Sequence, residues 1–197
     1  MELREIRKEV HSLQDVEENI SNFQEHWIRP LRSNTNNHLP FLKKIPKKLK
    51  KDLNKKLSAF SETLSEVKKG SFLHGKLRTY AKYLVQMKLN TLRGNYGNSK
   101  LITNWLLNDD ALSMKRTIQE VKSFDKNVQK MSEQYHEINE LLHKSLSLEE
   151  VIFLMELPHK RYLYHLQETS KKQKKIVRNI GRHFVSLAKK GKLGSKK

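Results

Sequence analysis

The chain has 197 residues, 36% of them apolar, with 7 glycines, 4 prolines, no cysteine and a formal net charge of +19. That length allows one domain or two small ones, and so little Gly and Pro argues for long helices and against an all-β fold. The missing cysteines exclude disulfides, thiol catalysis and cysteine-based zinc sites, and they fit a reducing compartment, so a cytoplasmic location is expected.

The longest apolar run, Val151 to Met155, is five residues, far too short to span a bilayer. Residues Met1 to Arg7 are charged and no apolar core follows, so no secretory signal is expected. A body this basic repels itself unless anions cover it. Nucleic acid is the commonest such partner, with an anionic membrane surface or an acidic protein as alternatives. The charge alternates along the chain: −4 over residues 1–28, +13 over 29–110, −2 over 111–157 and +12 over 158–197.

In the first acidic block Leu3, Ile6, Val10, Leu13, Val16, Ile20, Phe23 and Trp27 recur in steps of three and four. This heptad-like seam predicts a helix over about residues 2–28, ended by Pro30. A polar loop, Arg32 to Leu39, separates it from the lysine-rich stretch. Lys43, Lys44, Lys47, Lys48, Lys50, Lys51, Lys55 and Lys56 crowd the start of an amphipathic helix whose inward side is Leu49, Leu53, Leu57, Phe60, Leu64 and Val67. Pro46 suits the first turn of that helix and Gly70 its stop. Cations at the positive end of a helix dipole are mildly unfavourable. Phosphate contact accounts for them; lysine as a solubilising residue is the other reading.

Ser71 to Leu92 predicts a further helix with Leu73, Leu77, Tyr80, Leu84 and Met87 inward and Lys76, Arg78, Lys82 and Lys88 interspersed. The stretch "GNYGNSK" (Gly94 to Lys100) lacks the spacing of a phosphate-binding loop. It reads as a glycine turn, with Asn98 or Ser99 capping a short helix that contains Leu101, Ile102, Trp105 and Leu106. Ile118, Val121, Phe124, Val128, Met131, Tyr135, Ile138 and Leu142 form a second heptad seam, on a helix expected from near Asp109 or Asp110 to about Lys144. The two seams can pack on each other, on a second copy as a homodimer, or on a protein partner. Two ExxH spacings, Glu133 to His136 and Glu140 to His143, share this one helix. Carboxylate-bridged metal bundles need that motif from different helices, so these residues read as a solvated face and no metal or cofactor is expected. No nucleophile–base constellation or catalytic motif is visible, and the chain is not expected to be an enzyme.

The stretch "SLEEVIFLMELPHKRYLYHL" runs from Ser147 to Leu166. Ser147 and Glu150 have capping-box spacing. Leu148, Val151, Leu154 and Leu157 suit a first helix and turn, Pro158 the start of a second, and Tyr162 and Leu166 its inward side. Over these 20 residues the chain resembles the helix-turn-helix DNA-binding family, although Ile152 stands where that family carries a small residue and Glu156 where it carries a turn glycine. The resemblance implies that His159, Lys160, Arg161, Tyr164 and His165 lie near a major groove. A plain helical hairpin carries nearly the same pattern. Beyond it, Ile176, Ile180, Phe184 and Leu187 form one stripe, and Lys171, Lys175, Arg178, Arg182 and Lys189 cluster opposite, followed by a basic tail from Lys190.

The expected architecture is therefore all-α: a helical bundle with two long heptad-patterned helices (about 2–28 and 110–144) and a C-terminal helix-turn-helix-like segment with a basic helix. The expected division is a bundle domain over 1–146, the basic segment over 147–189 and a flexible tail over 190–197. The expected function is non-enzymatic binding of nucleic acid, DNA somewhat favoured over RNA, through phosphates. The alternative is a coiled-coil adaptor acting through protein–protein contacts.

Overall fold

Heptad steps turn the N-terminal apolar residues inward, and their one irregular step marks where the helix stops. The computed structural model describes residues 3–13, 16–32, 40–95, 97–98, 100–102, 104, 113–155 and 158–194. Every element among these is helical, and no helix among them is long and apolar enough to cross a membrane. α1 spans Leu3–His11 and α2 Val16–Phe23. The chain leaves the helix at Ser12–Leu13, where two three-residue steps (Val10, Leu13, Val16) follow each other. On an unbroken helix those steps would carry Val16 roughly 120° around the axis from Val10. Breaking the helix lets both be buried, so the long helix expected over 2–28 is two helices with one continuous set of buried seam residues from Ile6 to Trp27.

Pro30 does not end this stretch. α2 runs into a π-helical turn, Gln24–Ile28, and then α3, Arg29–Arg32, which contains the proline. A proline inside an α-helix lacks its N–H and presses on the carbonyl four residues back. The wider turn, in which the Arg29 N–H donates to the Gln24 carbonyl, opens the ladder just ahead of it.

A 3-10 turn over Pro40–Lys44 leads to α4, Lys47–Lys68, and α5, Leu73–Leu92, then α6, Met114–His143, α7, Leu148–Met155, and α8, Pro158–Gly194. The expected inward sets of α4, α5 and α6 are buried, except that Leu49, Ile118 and Tyr135 are half-buried. α5 ends in a Schellman turn. The Asn95 N–H donates to the Asn90 carbonyl (2.8 Å) and the Gly94 N–H to that of Thr91 (3.2 Å), with Gly94 at φ +71°. Asn95 also accepts the Asn98 N–H (3.5 Å), so the cap lies three residues before the expected one, in a helical stretch that includes residues 97–98 and 100–102. Trp105, Leu106, Asp109 and Asp110 lie outside the described residues. Ser113 offers its hydroxyl to the Arg116 N–H at the start of α6 (3.4 Å).

Two compact units emerge, each assembled from stretches distant in sequence. The first comprises 1–13, 72–123 and 169–197; the second comprises 14–71 and 124–168. The division thus falls within α6 and within α8. In the second unit, rings from four segments meet. Phe23 packs edge-on against Trp27, Phe60 and Tyr162, with centroids 5.5–5.9 Å apart, and Trp27 lies 4.9 Å from Phe60 and 5.0 Å from Tyr135. Trp27 Nε1 donates to the Leu154 carbonyl (3.1 Å) and the Tyr135 hydroxyl to that of Met155, which fixes the end of α7 to this knot. In the first unit α1 packs on α5, and the buried Tyr80 hydroxyl meets Thr117 Oγ1 at 2.7 Å, tying α5 to α6.

Gly70 follows the end of α4 as expected, but without a positive φ. Its role is closeness: a Cβ there would stand 2.3 Å from Phe124 Cδ2. Gly75, on the exposed side of α5, would meet nothing within 4 Å. Gly70→Ala is therefore expected to cost about 1–3 kcal/mol by overpacking. Gly75→Ala is expected to stabilise by roughly 0.5–1 kcal/mol through reduced backbone entropy of the unfolded chain. Urea titration followed by circular dichroism checks both signs.

Candidate nucleic-acid interface

Folding redistributes the charge. The first unit holds 23 Lys/Arg against 6 Asp/Glu, net +17; the second holds 17 against 15, net +2. The alternating blocks of the sequence become one strongly cationic unit and one nearly balanced unit.

On the first unit's part of α8, the apolar stripe Ile176, Ile180, Phe184 and Leu187 is buried, with Val177 beside it. Lys171, Lys175, Arg178, Arg182 and Lys189 are all exposed. A helix that buries one side and carries cations at spacings of three and four on the other presents them as a row. Lys175 reaches Glu9 Oε1 at 2.6 Å, tying the row to α1. Other cations of this unit turn inward. The Lys76 ammonium holds both oxygens of Glu120 (2.9 and 2.7 Å) and lies 5.0 Å from the Phe72 ring centroid, and Arg116 shares the same carboxylate at 3.3 Å.

The lysine-rich start of α4 belongs to the balanced unit. Lys43, Lys44, Lys47, Lys48, Lys51 and Lys55 are exposed, whereas Lys50 and Lys56 are half-buried. Lys44 pairs with Glu150 at 2.8 Å and Lys56 with Glu137 at 2.6 Å, so carboxylates from α7 and α6 already partner two of the eight, Lys44 at the surface and Lys56 half-buried.

The capping box at Ser147 is formed. The Glu150 N–H donates to Ser147 Oγ (3.3 Å) and the Ser147 N–H to Glu150 Oε2 (2.9 Å). The Lys44 ammonium first, and then the Ser147 N–H, hold the Glu150 carboxyl below the usual glutamate range. Val151 and Leu154 are buried, but Leu148 is exposed at the first helical position, where a side chain has no preceding turn to pack on. The expected turn at Glu156–Leu157 and the His159 side chain lie outside the described residues. Pro158 opens α8 as expected, Leu166 is buried, and Tyr162 joins the ring cluster. Lys160, Arg161 and Tyr164 are exposed, and His165 is half-buried with its Nε2 3.2 Å from Arg161 Nε. These four lie on the balanced unit, while Lys171 to Lys189 lie on the cationic one. Both sets belong to one 37-residue helix, so the second helix of the helix-turn-helix-like stretch and the basic helix are continuous.

His136, Glu140 and His143 lie on the exposed side of α6, with His136 Nε2 3.3 Å from Glu140. Sequence reasoning missed Arg4 and Arg7, which stand exposed on α1 in the cationic unit. Their signal was hidden because the linear block containing them is net acidic. No family model, curated protein or solved structure matches this chain.

Ser147→Ala is expected to cost about 1 kcal/mol through loss of the cap. A carboxyl whose folded pKa is lowered contributes stability above its unfolded pKa and loses it as pH falls through the folded value. Unfolding titrations of wild type and Glu150→Gln should therefore differ at neutral pH and converge in acid.

Proposed function

We propose that this is a non-enzymatic nucleic-acid-binding protein that contacts backbone phosphates mainly through its cationic unit. The observation that carries this reading is the collection of 23 cations against 6 carboxylates in one unit, with Lys171, Lys175, Arg178, Arg182 and Lys189 exposed along one helix. Each neutralised phosphate releases counterions, so a cationic row of this kind binds polyanions strongly and with steep salt dependence. Lys43 to Lys55, on the 3-10 turn and the start of α4, form a secondary contact surface, weaker because the surrounding unit is nearly neutral. Duplex DNA is the favoured form, since Lys160, Arg161 and Tyr164 are exposed on the first turns of the helix that follows α7 and its formed capping box, in the manner of a groove-reading helix. The protein-adaptor alternative, acting through the heptad seams, has less support, because those seams are largely buried within the single chain.

Electrophoretic shifts with DNA and RNA at several salt concentrations test the proposal. Replacing Lys171, Lys175, Arg178 and Arg182 together by Gln should weaken all sequences alike and make the log K against log salt slope shallower by about 3. The same four-fold change at Lys47, Lys48, Lys51 and Lys55 should have a smaller effect. Arg161→Gln with Tyr164→Leu should alter sequence preference. Binding that is absent, or indifferent to salt, contradicts the proposal.

A further inference from the structure

We infer that this chain self-associates head to tail, with α7 of one copy lying in a groove between α1 and α5 of the next. The groove belongs to the cationic unit and has a volume of about 490 Å³. Leu3, Val85, Leu89 and Leu92 form an apolar floor. Arg4, Arg7, His11 and Lys88 flank it, and among the described residues no carboxylate lines it. On α1 the flanking positions are three and four apart, as are the floor positions on α5, so each wall is a two-turn stripe about 10 Å long. Leu89 and Leu92 remain 42% and 75% exposed. Adjacent apolar side chains of this size, rimmed by polar residues, mark a contact surface.

The other unit carries the complementary surface. On α7, Leu148 and Ile152 are 64% and 41% exposed, with Glu149 exposed beside them, while Phe153 packs edge-on against Phe41 at 6.1 Å. Leu148 and Ile152 sit one turn apart on a helix of eight residues, about 12 Å long, which matches the groove. The fit is that of an amphipathic helix in a groove: apolar anchors on an apolar floor, with the single exposed carboxylate of α7, Glu149, against arginines and a lysine.

The charge partition selects the kind of contact. Groove against groove would bring two +17 units together. Groove against α7 seats a nearly neutral unit on a cationic one. The two surfaces differ, so the contact is heterologous, and one such contact leaves the pair with one free groove and one free α7. A patch this small with exposed ion pairs at its rim is weak in dilute solution and strengthens where copies are concentrated. The inference does not depend on the polyanion reading.

Sedimentation velocity on the full chain tests it, using two variants at exposed positions that leave the charge unchanged. Leu89→Ser with Leu92→Ser removes the groove floor, and Leu148→Ser with Ile152→Ser removes the α7 anchors; circular dichroism establishes that both fold. Wild type should show mass increasing with concentration, and each variant alone should self-associate at least about tenfold more weakly. A mixture of the two variants should restore a dimer and nothing larger, because only one intact interface forms per pair. Wild type that stays monomeric to about millimolar concentration overturns the inference. So does loss of association in the α7 variant while the groove variant associates like wild type, which indicates a symmetric α7 contact, or a mixture that remains monomeric.

Discussion

A compact unit carrying 23 cations and 6 carboxylates holds together only if apolar burial exceeds its self-repulsion, and this constraint shapes the rest of the molecule. Each fully buried Leu, Ile or Phe contributes about 1.5–3 kcal/mol, whereas exposed like charges are screened beyond about 8 Å at physiological salt. The balance favours a strict separation in which apolar stripes face in and cations face out. α8 shows it most plainly, with Ile176 and Ile180 fully buried and Arg178 and Arg182 exposed within the same two turns. Two carboxylates act at the seams of this arrangement. Glu120 neutralises Lys76 and Arg116 where α5 meets α6, and Glu9 holds Lys175 where α1 meets α8. Among the described residues, Arg4, Arg7, Lys171, Arg178, Arg182 and Lys189 are exposed, where an anionic partner can reach them.

The second unit meets a different requirement. Its charges nearly cancel, and its interior is a cluster of rings, Phe23, Trp27, Phe60, Tyr135 and Tyr162, with the buried indole N–H satisfied by the Leu154 carbonyl. Burying aromatic bulk with its polar tips paired gives a well-defined core without reliance on surface ion pairs. The same cluster fixes α7 and the first turns of α8, so that the exposed side of α7 and the residues from Lys160 to Tyr164 are presented on a firm base.

Much of the helix pattern was legible because period and capping are local. The α5 and α8 stripes, the burial of the first seam from Ile6 to Trp27 and the Ser147–Glu150 box all follow from spacing within one or two turns. The break at Ser12–Leu13 coincides with the 3-3 step, which a heptad-like seam over about 2–28 does not by itself distinguish from a continuous helix. The π turn before Pro30 was not legible, because a proline signals an obstacle to the ladder without saying whether the helix ends or widens. Gly70 stands at the stop of α4, as its position suggested, but its close approach to Phe124, 54 positions away, is a requirement no local rule could supply. The candidate site shows the same limit. The exposed row on α8 followed from its period, while the pairing of Lys44 with Glu150 and Lys56 with Glu137 depends on tertiary neighbours. The partition of charge was hidden for the same reason, since each unit is assembled from discontinuous stretches.

The central claim is that the cationic unit, and α8 in particular, meets a polyanion. Lysine acetylation footprinting with and without duplex DNA at moderate salt addresses it residue by residue. Lys171, Lys175 and Lys189 are expected to lose reactivity when DNA is bound, with Lys47, Lys48 and Lys51 changing less. Protection confined to the α4 lysines, or no protection at all, would contradict it.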